Sequence, residues 1–380
     1  MNDRKEQSSQ ETAIPDTTTT YLRCITLLEC AVNVFQVLLN ELGLNRTLEA
    51  IRPYSNFFGL ALADSAREKF GLEGSDIEAV AMPYFWAHCA TSNGNCRPME
   101  IREGRAIHVV YSCPAADIGA PAEVCVPMAH FVADGLCEAI NPDYEYIFTH
   151  HLTNHDEFCR YIVKKKSDTS SLDKLGRLEG IIPVLNLSQE ETESILEMII
   201  FGYLNSFTSA SIDVLGSGRT VELVAPCSRN TGLRLGSRLI SSTDESNDLV
   251  AVRDKLDFLC SVFKQSGTPA MITDAGIEKE ITECPFKSGG YEVCKNLEGL
   301  LRGVCEAFSP IYEFEYDRMM TRGDDACHWV MKKKSDIPRE KEAKMKHSEI
   351  EEVLRALKWR LAVGEITEAE YDRLRDKLSE

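Results

Sequence analysis

The sequence predicts an α+β protein built from two tandem homologous domains, each with helices first and an antiparallel sheet later, followed by a C-terminal helical hairpin. Two observations carry this prediction. The segment that begins at Cys159 reappears at Cys327, 168 positions later, and both copies end in Lys-Lys-Lys-Ser-Asp. In each copy, apolar residues recur first at helical spacing and then in the alternation typical of strands. With 380 residues, the chain is long enough for two domains.

The boundaries follow from the repeat and from composition. We expect a disordered tail over residues 1–19, repeat one over 20–168, repeat two over 187–336 and a helical hairpin over 347–380. The tail is rich in Ser, Thr, Gln and Glu, and the polar segment between the repeats, Asp168–Gly180, is typical of a linker.

Each repeat opens with two predicted helices. Apolar stripes over Leu22–Leu39 and Ile195–Phe207 predict the first helix of each repeat. Patterning over Gly59–Lys69 and Thr231–Ile240 predicts the second. A later helix is expected in each copy, over Ala129–Ala139 and Leu297–Ala307.

Each repeat should end in a β-hairpin. In repeat one, Asp143–Thr153 and Phe158–Lys165 flank the turn. In repeat two, Ile311–Thr321 alternates as a strand, a turn follows at Arg322-Gly323-Asp324-Asp325, and Ala326–Lys333 returns.

The C-terminal segment reads as a separate module. Gly364 ends one predicted helix, and Thr367 with Glu370 forms a capping box for the next. The run Leu361-Ala362-Val363-Gly364-Glu365-Ile366-Thr367-Glu368-Ala369-Glu370-Tyr371 resembles the short SHOCT module. The resemblance implies assembly into a homo-oligomer through this hairpin; the alternative is that the hairpin docks on its own chain.

Bulk properties exclude some classes of protein. The net charge of −18 argues against a general nucleic-acid binder, because such proteins need a basic surface. The N-terminus lacks the apolar core of a signal peptide. The longest apolar stretches, Ile25–Leu39 and Ile195–Phe207, are interrupted by polar residues and too short to span a bilayer. We therefore expect a cytoplasmic protein with no membrane span.

Four cysteines recur in both repeats. They are Cys113, Cys125, Cys137 and Cys159 in repeat one, and Cys284, Cys294, Cys305 and Cys327 in repeat two. A set kept in both copies indicates that the thiols share a role. The other cysteines are expected to be packing residues in a reducing compartment.

The order Cys284-Pro285, Cys294, Cys305 and then Arg322-Gly323-Asp324-x-x-Cys327 resembles the L-2-amino-thiazoline-4-carboxylic acid hydrolase family. That resemblance implies a small substrate containing sulfur and nitrogen, and hydrolytic ring opening. Cys327, Arg322 and Asp324 are the candidate catalytic residues, with Arg322 holding a carboxylate and Asp324 orienting it. The alternative is that the Gly-Asp pair only forms the hairpin turn and has no role in catalysis. Repeat one carries Asn154-His155-Asp156 there instead.

The Gly-Asp-x-x-Cys end also resembles the V4R domain, a module that binds small molecules. This resemblance implies a non-enzymatic protein that holds a small apolar or aromatic ligand and uses its thiols for zinc. Its spacing selects Cys125, His151 and Cys159 in repeat one. In repeat two it selects Cys294, Met319 and Cys327. Met319 is a poor zinc ligand, so Cys284 or His328 would need to compensate.

The residue types support zinc independently, because thiolate and imidazole are preferred zinc ligands. Cys113, Cys125, Cys159 and one of His150, His151 or His155 could form a set in repeat one; Cys284, Cys294 and Cys327 could do so in repeat two. The alternative is that these cysteines are small core residues.

Two further features stay open. Cys159 has His155 across a turn, which could activate a nucleophilic thiol. Tyr84-Phe85-Trp86-Ala87-His88 is an aromatic cluster that could line a pocket or pack in the core. The candidate functions are a thiazoline-like hydrolase, a V4R-like binding or sensor protein with structural zinc, and a scaffold subunit.

Overall fold

The computed structural model describes residues 16–172, 176–241, 249–273, 276–334 and Tyr371. Contacts divide the chain into one compact unit that ends at Lys332 and a second that begins at Lys333. Both repeats belong to the first unit. Residues 1–15 of the predicted tail (1–19) and, apart from Tyr371, the predicted hairpin over 347–380 lie outside the described residues; residues 16–19 of the predicted tail belong to a helix instead.

Repeat one forms helices and strands in the predicted order. Its elements are α1 (Asp16–Leu42), α2 (Leu44–Phe70), α3 (Ile77–Thr91), β1 (Met99–Arg102), β2 (Arg105–Val110), α4 (Pro114–Asp117), α5 (Phe131–Ile140), β3 (Tyr144–His150) and β4 (Cys159–Lys165). A π-helical turn at Val126–His130 leads into α5. The three predicted helical segments are confirmed, and α1 already begins at Asp16.

Repeat two follows the same order. Its elements are α6 (Gln189–Leu215), α7 (Ser217–Ser241), α8 (Leu249–Val262), β6 (Ser266–Gly267), β7 (Met271–Thr273), β8 (Gly276–Glu283), α9 (Gly290–Phe308), β9 (Tyr312–Arg318) and β10 (Cys327–Lys333). A capping box between Ser188 and Glu191 starts α6. The predicted helices are again confirmed.

Two antiparallel sheets confirm the predicted α+β class. One has the strand order β3–β4–β2–β1–β5, where β5 is Leu178–Ile182. The other has the order β6–β8–β10–β9, with β7 also paired to β8. Both predicted hairpins are present, although β9 ends at Arg318, where a 3-10 turn replaces the last predicted strand residues.

The segment between the repeats is more ordered than the predicted linker. Leu178–Ile182 pairs with β1, which places Ile181 opposite Glu100. The buried Arg105 side chain binds the Asp168 carboxylate at 2.6 Å and the Ser171 carbonyl at 3.0 Å. Composition did not indicate these contacts, because their partners lie far away in sequence.

The two repeats share local backbone geometry. Pro53 and Pro226 lie inside matching helices, α2 and α7. A Cβ atom at Gly135 would lie 2.1 Å from the Asn56 carbonyl, and one at Gly303 would lie 1.9 Å from the Arg229 carbonyl. Glycine at these positions therefore lets α5 approach α2, and α9 approach α7, in the same way.

The first helices are exchanged between the repeats. α1 packs more extensively on α7 than on α2, whereas α6 packs more extensively on α2 than on α7. At one end of α1, the Arg23 guanidinium donates to the Val262 carbonyl of α8 at 3.0 Å. One core cluster joins Phe35 of α1 to Trp329 of β10, and the other joins Ile199 of α6 to Tyr161 of β4. Each core therefore needs a helix from the other repeat.

Both exchanged helices also contain a long apolar stretch. By length and composition, Tyr21–Leu42 and Gln189–Leu215 are long and apolar enough to cross a membrane. The prediction that the apolar stretches at Ile25–Leu39 and Ile195–Phe207 are too short to do so is therefore wrong, because each helix extends beyond the predicted stretch. In the structure, 72% and 56% of their most apolar windows are buried. Burial of this kind is also typical of core helices in globular proteins.

Candidate functional site

The candidate site is a cavity in repeat one with a volume of about 100 Å³. We call it the repeat-one cavity. Its lining combines α3, the segment around Cys113, the π-helical turn, β3 and β4 with residues of α6. All four metal-ligand candidates of repeat one line it: Cys113, Cys125, His151 and Cys159.

Local structure explains how these thiols meet. Cys113 is extended and precedes α4, and Cys125 lies between a 3-10 turn and the π-helical turn. Cys159 is the first residue of β4, directly after the hairpin turn. The turn closes where His155 adopts a left-handed conformation with φ of 65°.

The thiols already have hydrogen-bond partners. Cys125 Sγ lies 2.8 Å from Thr153 Oγ1, and the Leu152 N–H donates to Cys159 Sγ at 3.2 Å. Burial raises the pKa of Cys125 to about 11 and that of Cys159 to about 12. Within the described ranges, no group of three or more His, Cys, Asp or Glu side chains is arranged to hold a metal ion.

The hairpin register selects one histidine. His151 lines the cavity and stacks on His130 at a ring distance of 5.4 Å. His150, the next residue along the chain, packs on Phe158 at 4.7 Å instead. His155 ends the 3-10 turn of the hairpin and does not line the cavity. Burial lowers the pKa of His151, which favours the neutral imidazole.

Helix α3 supplies an aromatic wall. Tyr84, Ala87, His88 and Thr91 face the cavity because residues three and four apart share one side of a helix. The Tyr84 ring lies 5.4 Å from the Tyr161 ring. The predicted aromatic cluster therefore divides: Tyr84, Ala87 and His88 line the cavity, whereas Phe85 and Trp86 pack in the core.

Two polar atoms at the cavity have no hydrogen-bond partner among the described residues. They are Tyr161 Oη and His88 Nδ1, and Tyr161 is only 1% exposed. Burial, with a smaller contribution from His108, lowers the pKa of His88 to about 3, so its imidazole is neutral. Burial also holds the pKa of Tyr161 well above its ordinary value, so its hydroxyl keeps its proton. Buried polar atoms normally find partners, so each of these two atoms keeps an unused hydrogen bond that a polar group of a ligand would satisfy.

Sequence reasoning missed the contribution of α6. Leu196, Ile199, Ile200 and Tyr203 close the cavity, although they belong to repeat two. The Tyr203 hydroxyl donates to the Met128 carbonyl at 2.8 Å, which fixes α6 on the π-helical turn. No Asp, Glu, Lys or Arg is found among the described residues that line the cavity. The repeat-one cavity is therefore apolar and without charge.

A second cavity of about 450 Å³ adjoins the first. The two share Thr91, Ser112, Pro114 and Leu196 in their linings. The outer cavity also carries Glu193 and Asp117. These shared residues mark the place where a ligand would pass between the two spaces.

In repeat two the corresponding residues also meet, but almost no space remains. Cys284, Cys294 and Cys327 line a cavity of about 10 Å³ together with Met319. A volume of this size holds about one water molecule. The thiols converge in both repeats, but only repeat one leaves room for a ligand.

The predicted catalytic residues of repeat two have structural partners. The Arg322 guanidinium donates to Tyr291 Oη at 2.9 Å and covers the Tyr291 ring. Asp324 accepts the Met319 N–H at 2.7 Å, as Asp156 accepts the His151 N–H in repeat one. Cys327 is buried and accepts the Met320 N–H at 3.3 Å. These contacts stabilise the hairpin turn.

Comparisons with protein-family models, curated proteins and solved structures found no match to this chain. The resemblances to the thiazoline-carboxylate hydrolase, V4R and SHOCT families therefore stay predictions from sequence.

Proposed function

We propose that the protein is a non-enzymatic binding protein that holds one small, uncharged, largely apolar molecule in the repeat-one cavity. The observation that carries the proposal is the unpartnered Tyr161 hydroxyl in a buried, charge-free space. Tyr161 would donate a hydrogen bond to the ligand, and neutral His88 would donate or accept a second one through Nδ1.

Cavity size and polarity narrow the ligand class. An engineered apolar cavity of about 150 Å³ binds benzene, so a space of about 100 Å³ suits at most a single ring. A carboxylate would lose its hydration without gaining a cationic partner, which is costly. We therefore favour neutral molecules with one hydroxyl or amine, such as phenol.

The same argument weighs against the hydrolase prediction. A thiazoline carboxylate would need a cation, and Arg322 lies in repeat two with Tyr291 as its partner. Burial raises the pKa of Cys327 and keeps the thiol protonated, which disfavours nucleophilic attack. Hydrolysis stays a prediction from resemblance, and the geometry favours binding.

Zinc is a second proposed ligand. The convergence of Cys113, Cys125, Cys159 and His151 on one cavity supports it, because these donors are the types that zinc prefers. In their described positions they do not form a metal-holding group, so binding would require the thiols to lose protons and to turn towards one point. Zinc would then order the wall of the cavity.

Calorimetric titration of the full chain with phenol tests the main proposal. Tyr161→Phe removes only the unpartnered hydroxyl, and we expect it to weaken binding roughly two- to tenfold, the effect of about one hydrogen bond. Tyr316→Phe in the small repeat-two cavity is the matched control and should leave binding unchanged. Equal affinities in wild type and Tyr161→Phe would overturn the role of Tyr161. The absence of binding by phenol, aniline and toluene would overturn the proposed function.

A further inference from the structure

A second pair of cysteines lies beside the repeat-one cavity. Cys89 occupies the last turn of α3 and is 2% exposed, whereas Cys96 follows the turn after α3 and is half-buried. Their sulfur atoms are 3.8 Å apart. None of the candidate functions uses this pair.

The backbone between them is folded tightly. Asn93 and Gly94 have φ values of 50° and 73°, and the Gly94 N–H donates to the Cys89 carbonyl at 2.8 Å. Cys96 then forms a β-bridge with Val110, which holds it against the sheet. The two sulfur atoms of a disulfide are about 2.05 Å apart. To form this bond, the Cys89 and Cys96 side chains would have to rotate towards each other from their present sulfur–sulfur distance of 3.8 Å.

We propose that Cys89 and Cys96 form a reversible disulfide when the protein meets a peroxide. The Cys96 thiolate attacks a peroxide oxygen, so that an S–O bond forms and the O–O bond breaks. Cys89 sulfur then attacks the sulfenic sulfur of Cys96; the S–S bond forms, the S–O bond breaks, and hydroxide leaves with the thiol proton as water. In total, two thiols and hydrogen peroxide give one disulfide and two waters.

The surroundings favour Cys96 as the attacking thiol. It is the more exposed of the two, and the hydrogen bond with the Cys89 thiol lowers its pKa. Cys89 is then the resolving thiol, already in contact with the sulfur that it must attack. This arrangement is the one expected of redox-sensitive cysteine pairs.

Repeat two provides an internal comparison. Its Cys260 has the same backbone setting as Cys89: the Gln265 N–H donates to the Cys260 carbonyl at 2.8 Å, and Lys264 has a φ of 52°. Gly267 takes the place of Cys96, because it pairs with Ile281 of β8 as Cys96 pairs with Val110 of β2. Cys260 therefore has no thiol at the matching position, and only repeat one can close this bridge.

The bridge would join two parts of the cavity wall. His88 and Thr91 lie on the same helical turn as Cys89, and Val110 is the bridge partner of Cys96; all three line the repeat-one cavity. Oxidation would fix the end of α3 to the end of β2, the central strand of the sheet. The disulfide itself does not depend on the proposed ligand.

Peroxide treatment of the full chain, followed by alkylation of free thiols and peptide mass spectrometry, tests the proposal. Both cysteines fall in one tryptic peptide, because no Lys or Arg separates them. We expect this peptide to lose two hydrogens, to escape alkylation and to recover both thiols with a reductant. Cys96→Ser should leave Cys89 free to be alkylated, whereas Cys260→Ser should leave the bridge intact.

The proposal would be overturned if Cys89 stays alkylatable in the wild type while Cys96 is oxidised to the sulfinic acid. It would also be overturned if Cys89 is found bridged to another cysteine. Circular dichroism of the Cys96→Ser variant checks that the fold is kept, and a Cys89→Ser variant gives a second measurement from the other side of the pair.

Discussion

Tyr161 on β4 and Trp329 on β10 occupy matching positions in the two sheets. Tyr161 pairs with His108 of β2, and Trp329 pairs with Lys279 of β8 at the equivalent place in the ladder. Both are buried, and the indole of Trp329 is larger than the phenol of Tyr161. Near each Cys-Pro, Ala115 lines the repeat-one cavity, while Phe286 is buried at the corresponding point of repeat two. At both positions the larger side chain belongs to repeat two, whose cavity measures about 10 Å³ against about 100 Å³ in repeat one.

Ala115→Phe should therefore abolish phenol binding by importing the repeat-two residue into the cavity. The extra ring occupies the space that the ligand needs, and overpacking should cost about 1–3 kcal/mol of unfolding free energy. Calorimetry and urea unfolding measure the two effects. Ala116→Phe, at a neighbouring position outside the cavity lining, is the matched control. Wild-type affinity in Ala115→Phe would show that the ligand binds elsewhere.

The depressed pKa of His88 predicts acid sensitivity. Burial lowers this pKa from 6.5 to about 3 in the folded protein. Between those values the unfolded chain binds a proton that the folded chain excludes, so unfolding free energy falls as the pH drops below about 6.5. His88→Leu, which introduces the residue found at Leu259, should reduce that fall by up to about 1 kcal/mol per pH unit. Urea unfolding at pH 7 and pH 5 measures this decrease in unfolding free energy. Equal decreases in the wild type and in His88→Leu would contradict the attribution of the acid sensitivity to His88.

Metal analysis tests zinc directly. Protein purified without chelator should carry about one zinc per chain, and Cys159→Ser should lower that content and the thermal midpoint together. Cys137→Ser, a change in a repeated cysteine outside the cavity lining, should keep the zinc. A content far below one in the wild type would remove zinc from the proposal and leave the apolar ligand unaffected.

Assays with cyclic thioimidates separate binding from hydrolysis. We expect the wild type to leave such compounds intact, because the cavity beside Cys327 has room for about one water. Chromatography of the incubated compound gives the answer. Ring opening that is lost in Cys327→Ser but kept in Cys159→Ser would instead support the hydrolase prediction.

Removal of Lys346–Glu380 tests the predicted C-terminal assembly module. If the hairpin joins copies of the chain, particles of the truncated protein should contain fewer chains than particles of the full-length protein. Light scattering measures both. An unchanged oligomeric state would contradict the predicted role, while phenol binding should persist in either case because the cavity lies within the first unit.

The repeat made much of the candidate site predictable. Matching Cys125, Cys159 and their counterparts, together with the hairpin prediction, indicated residues that the structure brings around one cavity in each half. The choice of His151 over His150 required the actual strand register, which one residue of slippage would reverse. Cys89 and Cys260 were assigned to packing because free cysteines are common core residues, and only the backbone contacts show that they correspond.

The exchange of first helices could not be predicted from periodicity. An apolar stripe shows that a helix has a buried face, but it does not say which repeat covers that face. As a result, Ile199 and Tyr203 were assigned to repeat two, although they close the cavity of repeat one. The same limitation hid the role of Arg23, whose partner Val262 lies far along the chain.

That exchange also orders events during synthesis. When Ile182 leaves the ribosome, every strand of the first sheet has been made, yet Ile195 and Ile199 of its core are still to come. Phe35 of α1, in turn, packs in a core that also contains Trp329, and Trp329 belongs to the last strand of the second sheet. Apolar surface of the first half therefore stays exposed until the second half has been synthesised. We expect the two halves to fold in one late, cooperative step.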